Sequence, residues 1–214
     1  MDWKEKVFEG FRLYAVTDLK TESPDVLKRI EAAYRGGADI VQLRSKVLAD
    51  GALIRLGLKI KKIAEKNRKL FFINDRMDLA LATGADGVHL GQEDMPVWVA
   101  RKLAKQAGLN VWVGKSTHSL NQALAAVSEG VDYIGVGPVF ATPSKAAFGA
   151  PQGIDRLREA TAAARVPVLA IGGVTVAEVP AVRAAGAAGV AVIRAVLAAG
   201  DPGAATRALL AAVG

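Results

Sequence analysis

The sequence predicts an α/β protein, a single (β/α)8 barrel of the TIM type over residues 1–214, and three observations carry that prediction. First, one phrase recurs four times: Gly37-Ala38-Asp39-Ile40-Val41, Gly84-Ala85-Asp86-Gly87-Val88, Gly130-Val131-Asp132-Tyr133-Ile134 and Gly186-Ala187-Ala188-Gly189-Val190. The copies lie roughly 50 residues apart, too far for one small βα unit and right for two. Second, short apolar, β-rich segments alternate with the copies: Leu13 to Val16, Leu70 to Ile73, Val111 to Val113 and Val166 to Ile171. Third, helical patterns with start and stop signals separate the resulting eight candidate strands. Strands alternating with helices, with no proline-rich linker or low-complexity tract, mean one domain with a parallel sheet. Eight units favour barrel closure over an open sheet. No G-x-G-x-x-G follows the first strand, which argues against a dinucleotide fold.

Strand 1, Leu13 to Val16, leads to Ser23-Pro24, an N-cap serine ahead of proline at the first helical position. That helix is expected to end at Gly37 in the left-handed conformation, with strand 2 following at once. Gly84, Gly130 and Gly186 should do the same before strands 4, 6 and 8. Strand 5 is followed by Ser119-Leu120-Asn121-Gln122, and strand 7 by Thr175-Val176-Ala177-Glu178, both of which read as capping boxes.

Apolar residues make up 51% of the chain, enough for a full core. The absence of cysteine excludes disulfides, thiolate zinc sites and cysteine nucleophiles, and a reducing cytoplasm is the expected location. The first residues, Met1-Asp2-Trp3-Lys4-Glu5-Lys6, carry no apolar signal region. The greasy run from Gly186 to Gly200 is interrupted by Arg194 and too short to span a bilayer, so no membrane partner is expected. The net charge of +7 reads as a solvated helix face around Lys59, Lys61, Lys62, Lys66, Arg68 and Lys69. No aromatic residues interleave with these cations, so nucleic acid is not an expected partner.

In this fold chemistry belongs to the loops at the C-terminal ends of the strands. Strand 2 leads into Gln42-Leu43-Arg44-Ser45-Lys46, and alternation places Gln42, Arg44 and Lys46 on one side. Strand 3 gives Asn74-Asp75-Arg76, strand 4 His89-Leu90-Gly91-Gln92-Glu93-Asp94, and strand 5 Gly114-Lys115-Ser116-Thr117-His118. Strand 6 gives Gly137-Pro138 and then Thr142-Pro143-Ser144-Lys145, strand 7 Gly172-Gly173, and strand 8 ends near Ile193-Arg194. Singly, each has a plain reading: Asp75 and Asp94 as helix caps, Arg44 and Lys46 as surface charges, His118 as a histidine satisfied by backbone. Together, charged, hydroxyl and paired-glycine groups at successive strand ends exceed what a merely stable barrel requires. Two carboxylates without cysteine suit a hard cation, Mg²⁺ above all. Arg44, Lys46 and Lys145 would balance phosphate charge, and Gly172-Gly173 stands in the usual barrel phosphate position.

On these residues the chain resembles the thiamine-phosphate synthase family. The resemblance runs from Tyr14-Ala15-Val16-Thr17-Asp18 to Val190-Ala191-Val192-Ile193. Its most specific pieces are Gln42-x-Arg44-x-Lys46, Ile73-Asn74-Asp75-Arg76, Asp86-Gly87-Val88-His89-Leu90-Gly91-Gln92-x-Asp94 and Gly137-Pro138-x-x-x-Thr142-x-Ser144-Lys145. Family enzymes join a hydroxymethylpyrimidine diphosphate to a thiazole phosphate, releasing thiamine phosphate and pyrophosphate. The resemblance implies that Gln42 and Asn74 hold the pyrimidine with His89 nearby. It implies that Arg44, Lys46, Ser116 and Lys145 hold the diphosphate, and that Asp75 and Asp94 carry Mg²⁺. Thr142, Ser144, Gly172 and Gly173 would receive the thiazole phosphate, beside Ile193 and Arg194. The implied partners are these small molecules, with homo-oligomerisation left open. Two departures stand out: Ser144 where the family usually has threonine, and Arg194 where strand 8 commonly ends in serine. Two rival readings are a thiazole tautomerase, whose catalytic histidine His118 matches, and a catalytically silent barrel that binds thiamine precursors. Tautomerases tend to lose the aspartate of Asn-Asp-Arg and the Gln-x-Arg-x-Lys pattern, and this chain keeps both.

Overall fold

Eight parallel strands pair in chain order and close on themselves, the first with the last. They are β1 Leu13–Val16, β2 Ile40–Leu43, β3 Leu70–Asn74, β4 Gly87–Leu90, β5 Trp112–Thr117, β6 Tyr133–Val136, β7 Val168–Ile171 and β8 Gly189–Val192. The computed structural model describes residues 2–21, 23–142 and 151–214. Helix α1 (Trp3–Glu9) precedes the barrel, and α2 (Pro24–Gly36), α3 (Asp50–Lys66), α4 (Met77–Thr83), α5 (Val97–Gln106), α6 (Leu120–Ser128), α7 (Gly153–Ala163) and α8 (Val179–Ala184) link successive strands. The short α9 (Arg194–Leu197) and α10 (Pro202–Val213) complete the ring. Among the described residues no helix is long and apolar enough to cross a membrane.

The stop and start signals do their expected work at most positions. Gly37, Gly84, Gly130 and Gly186 all have positive φ, between 65° and 112°, where a side chain would be strained. Ser23 caps α2, accepting a hydrogen bond from Asp25 N, and Ser119 caps α6 through Gln122 N. Thr175 departs from the reading. It bonds to Glu178, but the segment stays a turn and α8 begins only at Val179.

The recurring aspartate has a purpose that its sequence position does not announce. Each copy sits just before an even-numbered strand and ties it to the odd strand preceding it. Asp39 accepts from Arg12 N at 2.9 Å, Asp86 from Phe71 N at 3.0 Å and Asp132 from Val113 N at 2.6 Å. The backbone N–H of each donates to the same neighbouring strand, at Leu13, Phe71 and Val113. The carboxylates therefore satisfy the N–H groups that open β1, β3 and β5, as N-caps do for helices. Lys61 and Lys4 close on Asp86, and Lys69 on Asp39. This corrects the reading of the helix-end cations as a purely solvated face: Lys61 and Lys69 are structural counter-ions.

Strand alternation divides the core in two. Leu13, Ala15, Val41, Leu43, Phe71, Ile73, Val88, Ile134 and Val190 face the helices. Tyr14, Val16, Ile40, Leu70, Phe72, Tyr133, Leu169 and Ala191 face the barrel interior with Phe8 and Phe11 below them. Interior glycines make room for the large rings. A Cβ on Gly87 would lie 2.3 Å from the Phe72 ring, its register partner, and one on Gly114 would lie 2.1 Å from Tyr133, again its partner. Lys115 in β5 faces the other way and pairs with Glu129, so it takes no part in the mouth.

Candidate active site

The interior residues nearest the C-terminal ends of β2 to β5 are polar. Gln42, Asn74, His89 and Ser116 occupy inward positions at the tops of β2 to β5 by the same alternation that buries Ile40, Phe72 and Leu70 below them. With Arg44, Lys46, Asp75, Asp94, His118 and Gln122 they line a cavity of about 530 Å³ at the barrel mouth. A second cavity of about 380 Å³ lies beside it, lined by Thr142, Gly172, Gly173, Thr175, Ile193 and Arg194. Ile171, Ala191 and Ile193 belong to both walls.

Arg44 is held twice. Its backbone N–H donates to Thr17 Oγ1 at 2.7 Å, and its guanidinium meets Asp18 at 2.7 Å. Lys46 is exposed and pairs with no carboxylate among the described residues. Asp75 has φ 63°, a left-handed conformation that aspartate tolerates better than most residues, and its N–H donates to His89 O at 2.8 Å. Burial, followed by a hydrogen bond to Asp94 and its charge, pushes the Asp75 carboxyl up to about 7, with Arg44 pulling the other way. Asp94 also accepts from Gly91 N at 2.6 Å. Neither aspartate caps a helix: Arg76 and Pro96 occupy the N-cap positions of α4 and α5. The plain reading of both as caps is thereby corrected.

Two carboxylates set side by side, one of them raised by burial and by its neighbour's charge, make a half-site for a hard divalent ion. Among the described residues no group of three or more His, Cys, Asp or Glu side chains could hold a metal. The pair fits Mg²⁺, which takes one or two carboxylates and completes its shell with water and substrate phosphate oxygens.

Below the charged rim runs a chain of hydrogen bonds. Gln42 Nε2 donates to Tyr14 Oη at 2.9 Å, Tyr14 and Tyr133 share a bond at 3.0 Å, and Tyr133 Oη meets His89 Nδ1 at 2.9 Å. His89 Nε2 meets Ser116 Oγ at 2.9 Å, and Gln92 fastens the Ser116 carbonyl at 2.6 Å. Burial raises the ionisation of both phenols well above the ordinary tyrosine range, so both are neutral donors. His118 Nδ1 bonds to Gly137 O at 2.5 Å, the backbone satisfaction expected of it.

Of the residues read from the sequence, Gln42, Arg44, Lys46, Asn74, Asp75, His89, Asp94 and Ser116 meet in the larger cavity. Thr142, Gly172, Gly173 and Arg194 meet in the smaller, and Ile193 stands between. Ser144 and Lys145 lie outside the described residues. The helix expected to start at Thr175, beside the glycine pair, starts later; the short helix that opens at the smaller cavity is α9 at Arg194. Sequence reasoning gave no role to Tyr14, Tyr133 and Asp18. Asp18 was visible only as a carboxylate two residues beyond β1.

The fold and this mouth define a class: a (β/α)8-barrel enzyme that works through charged and polar groups at its C-terminal strand ends. Residues 13–196 match the family model described as thiamine monophosphate synthase. The chain is 44% identical over 173 residues to thiamine-phosphate synthase of Chloroflexus aurantiacus, covering 80% of this chain and 78% of that one. It is 44% identical over 182 residues to thiamine-phosphate synthase of Synechococcus sp. WH7803, covering 84% of this chain but only half the length of that relative. A solved thiamine phosphate pyrophosphorylase from Pyrococcus furiosus superposes with a TM-score of 0.86 at 36% identity, covering 97% of both chains. The chain belongs to the thiamine monophosphate synthase family.

Proposed function

We propose that this protein joins hydroxymethylpyrimidine diphosphate to thiazole phosphate, giving thiamine phosphate and pyrophosphate. The observation that carries the reading is the pair of adjoining cavities with a shared wall at Ile171, Ala191 and Ile193. One holds two cations and the adjacent carboxylates of Asp75 and Asp94, and the other a glycine pair and the start of a short helix. Two anionic substrates thus have separate receptacles, with their uncharged ends facing a common apolar wall.

In this reading Gln42 and Asn74 orient the aminopyrimidine above the Tyr14 ring. Arg44, Lys46, Ser116 and Lys145 take the diphosphate oxygens through charge-assisted bonds. Asp75 and Asp94 would hold Mg²⁺, which when bound supplies charge neutralisation for the departing diphosphate. The C–O bond to the diphosphate breaks with both electrons leaving on oxygen. The 4-amino group of the pyrimidine donates electron density to the methylene cation, and the thiazole nitrogen lone pair closes the new C–N bond. Thr142, Ser144, Gly172 and Gly173 hold the thiazole phosphate so that this nitrogen faces the methylene carbon. Arg194 opens α9 with its side chain exposed, and its backbone is the part that serves the phosphate. No covalent enzyme intermediate is needed; the chain supplies position and electrostatics.

The test is pyrophosphate release with both substrates and Mg²⁺. Production of thiamine phosphate and pyrophosphate in equal amounts is expected, and Asp75→Asn should cut the rate by about 100-fold or more with the circular-dichroism spectrum unchanged. Binding of the pyrimidine diphosphate without release of pyrophosphate would instead identify a silent binding barrel, and this reading would fail.

A further inference from the structure

We infer that Tyr133, supported by Tyr14, is a positioning residue that fixes His89 in its Nε2–H form and thereby turns the Ser116 hydroxyl proton toward the large cavity.

The inference rests on the direction of a closed chain of donors. Each phenol has one proton and two neighbours. Tyr14 Oη accepts from Gln42 Nε2 at 2.9 Å, so its own proton has to go elsewhere. Tyr14 is 2% exposed, and among the described residues its only further partner is Tyr133 Oη at 3.0 Å. If Tyr14 donates there, the Tyr133 proton goes to His89 Nδ1 at 2.9 Å. The imidazole, accepting at Nδ1, carries its proton on Nε2 and donates to Ser116 Oγ at 2.9 Å. Ser116, now an acceptor, keeps its own proton for the cavity it lines. In the reverse direction the buried Tyr14 proton would have no acceptor among these groups, which is costly for a buried hydroxyl. The forward direction uses every proton.

The geometry around the relay is built to hold it. Tyr133 is fully buried, and its ring occupies space that exists only because its register partner is Gly114. His89 stands against Gly135, where a Cβ would come within 3.4 Å of its ring. A hydroxyl proton aimed into a cavity with Arg44 and Lys46 suits an anionic oxygen, which only accepts. The identity of that anion as a diphosphate rests on the function proposed above; the direction of the relay does not.

The experiment uses the intact, ligand-free protein labelled with ¹⁵N-histidine. The chain has two histidines, so the spectrum holds two imidazoles, and His118→Gln assigns them. The expected result is a His89 Nδ1 signal in the bare-nitrogen range and a protonated Nε2. Tyr133→Phe removes the donor to Nδ1, leaving neither tautomer favoured there, and a mixture should appear. Tyr14→Phe leaves the Tyr133 donor in place and should keep the native tautomer. A merely structural loss would disturb both variants alike. A native His89 protonated at Nδ1, or an unchanged tautomer in Tyr133→Phe, would overturn the inference. Inorganic pyrophosphate with Mg²⁺ then probes the ligand: a shift of the His89 Nε2 signal that Ser116→Ala abolishes supports the aimed proton. No shift, with the native tautomer as expected, would keep the relay and count against the diphosphate assignment.

Discussion

At Asp75 the backbone turns left-handed, the carboxyl faces Asp94, and burial raises its ionisation to about 7 from an ordinary 3.8. The folded chain therefore holds a proton there over a pH range in which the unfolded chain has lost it. Linkage fixes the sign: this group's contribution to stability is complete below about pH 4 and is lost as pH rises through 7. In the presence of a chelator, the thermal midpoint should fall between pH 5 and about 8 more steeply in the native protein than in Asp75→Asn, whose amide does not titrate. Mg²⁺ should restore the loss at the high end, because it replaces the missing proton between the two carboxylates. Parallel pH curves for the two proteins would show that Asp75 is not the titrating group. The residue was legible in the sequence as part of Asn74-Asp75-Arg76, but its conformation and its contact with Asp94 depend on two loops meeting, which no local pattern encodes. Tyr14 and Tyr133 were hidden for another reason. Within a four-residue apolar strand such as Leu13–Val16, composition does not say which side faces the lumen.

At the scale of elements, strands and helix stops were legible because glycine and alternation act locally. Gly37, Gly84, Gly130 and Gly186 end their helices as the pattern required. The aspartates of the same phrase were visible as a repeat, yet their partners lie one strand back in the chain, at the openings of β1, β3 and β5. Thr175 makes the bond to Glu178 that a capping box needs, yet the segment stays a turn and α8 begins only at Val179. The aspartates give a graded prediction. The Asp86 side chain is 4% exposed and meets Lys4, Lys61 and Phe71 N, whereas that of Asp132 is 28% exposed and meets Arg101 and Val113 N. Asp86→Ala takes the buried carboxylate from Lys4 and Lys61, leaving Lys61 only Glu65 at 3.4 Å, and strands a buried N–H, and should cost about 3–5 kcal/mol. Asp132→Ala also leaves a buried N–H, that of Val113, but its one cation, Arg101, is reached by water, so the cost should be lower, about 1–3 kcal/mol. Urea unfolding midpoints measure both; equal losses would show that burial does not set the cost.

Across the whole molecule the barrel interior runs from apolar at one end to charged at the other. Helix α1 closes the N-terminal end: Phe8 stacks on Trp112 with centroids 4.7 Å apart and meets Phe11 and Tyr133 at 5.3 and 6.1 Å. Above this aromatic floor come Tyr14 and Phe72, then Gln42 and His89, then the cations and carboxylates of the mouth. Such an order separates stability from chemistry, since the floor excludes water from the lumen without touching the cavity. Phe8→Ala removes a ring that is 8% exposed and packed on four aromatic neighbours, and should cost about 3–5 kcal/mol of folding stability. Because Phe11 and Phe72 still flank the Tyr133 ring at 5.9 and 6.0 Å, the relay to His89 should survive. The Michaelis constant for the pyrimidine diphosphate is then expected to stay within about twofold, less than 0.5 kcal/mol, at a temperature well below the lowered midpoint. A variant that kept its stability would show the floor to be dispensable. One that lost substrate binding while remaining folded would show that the two ends of the barrel are coupled through Tyr133.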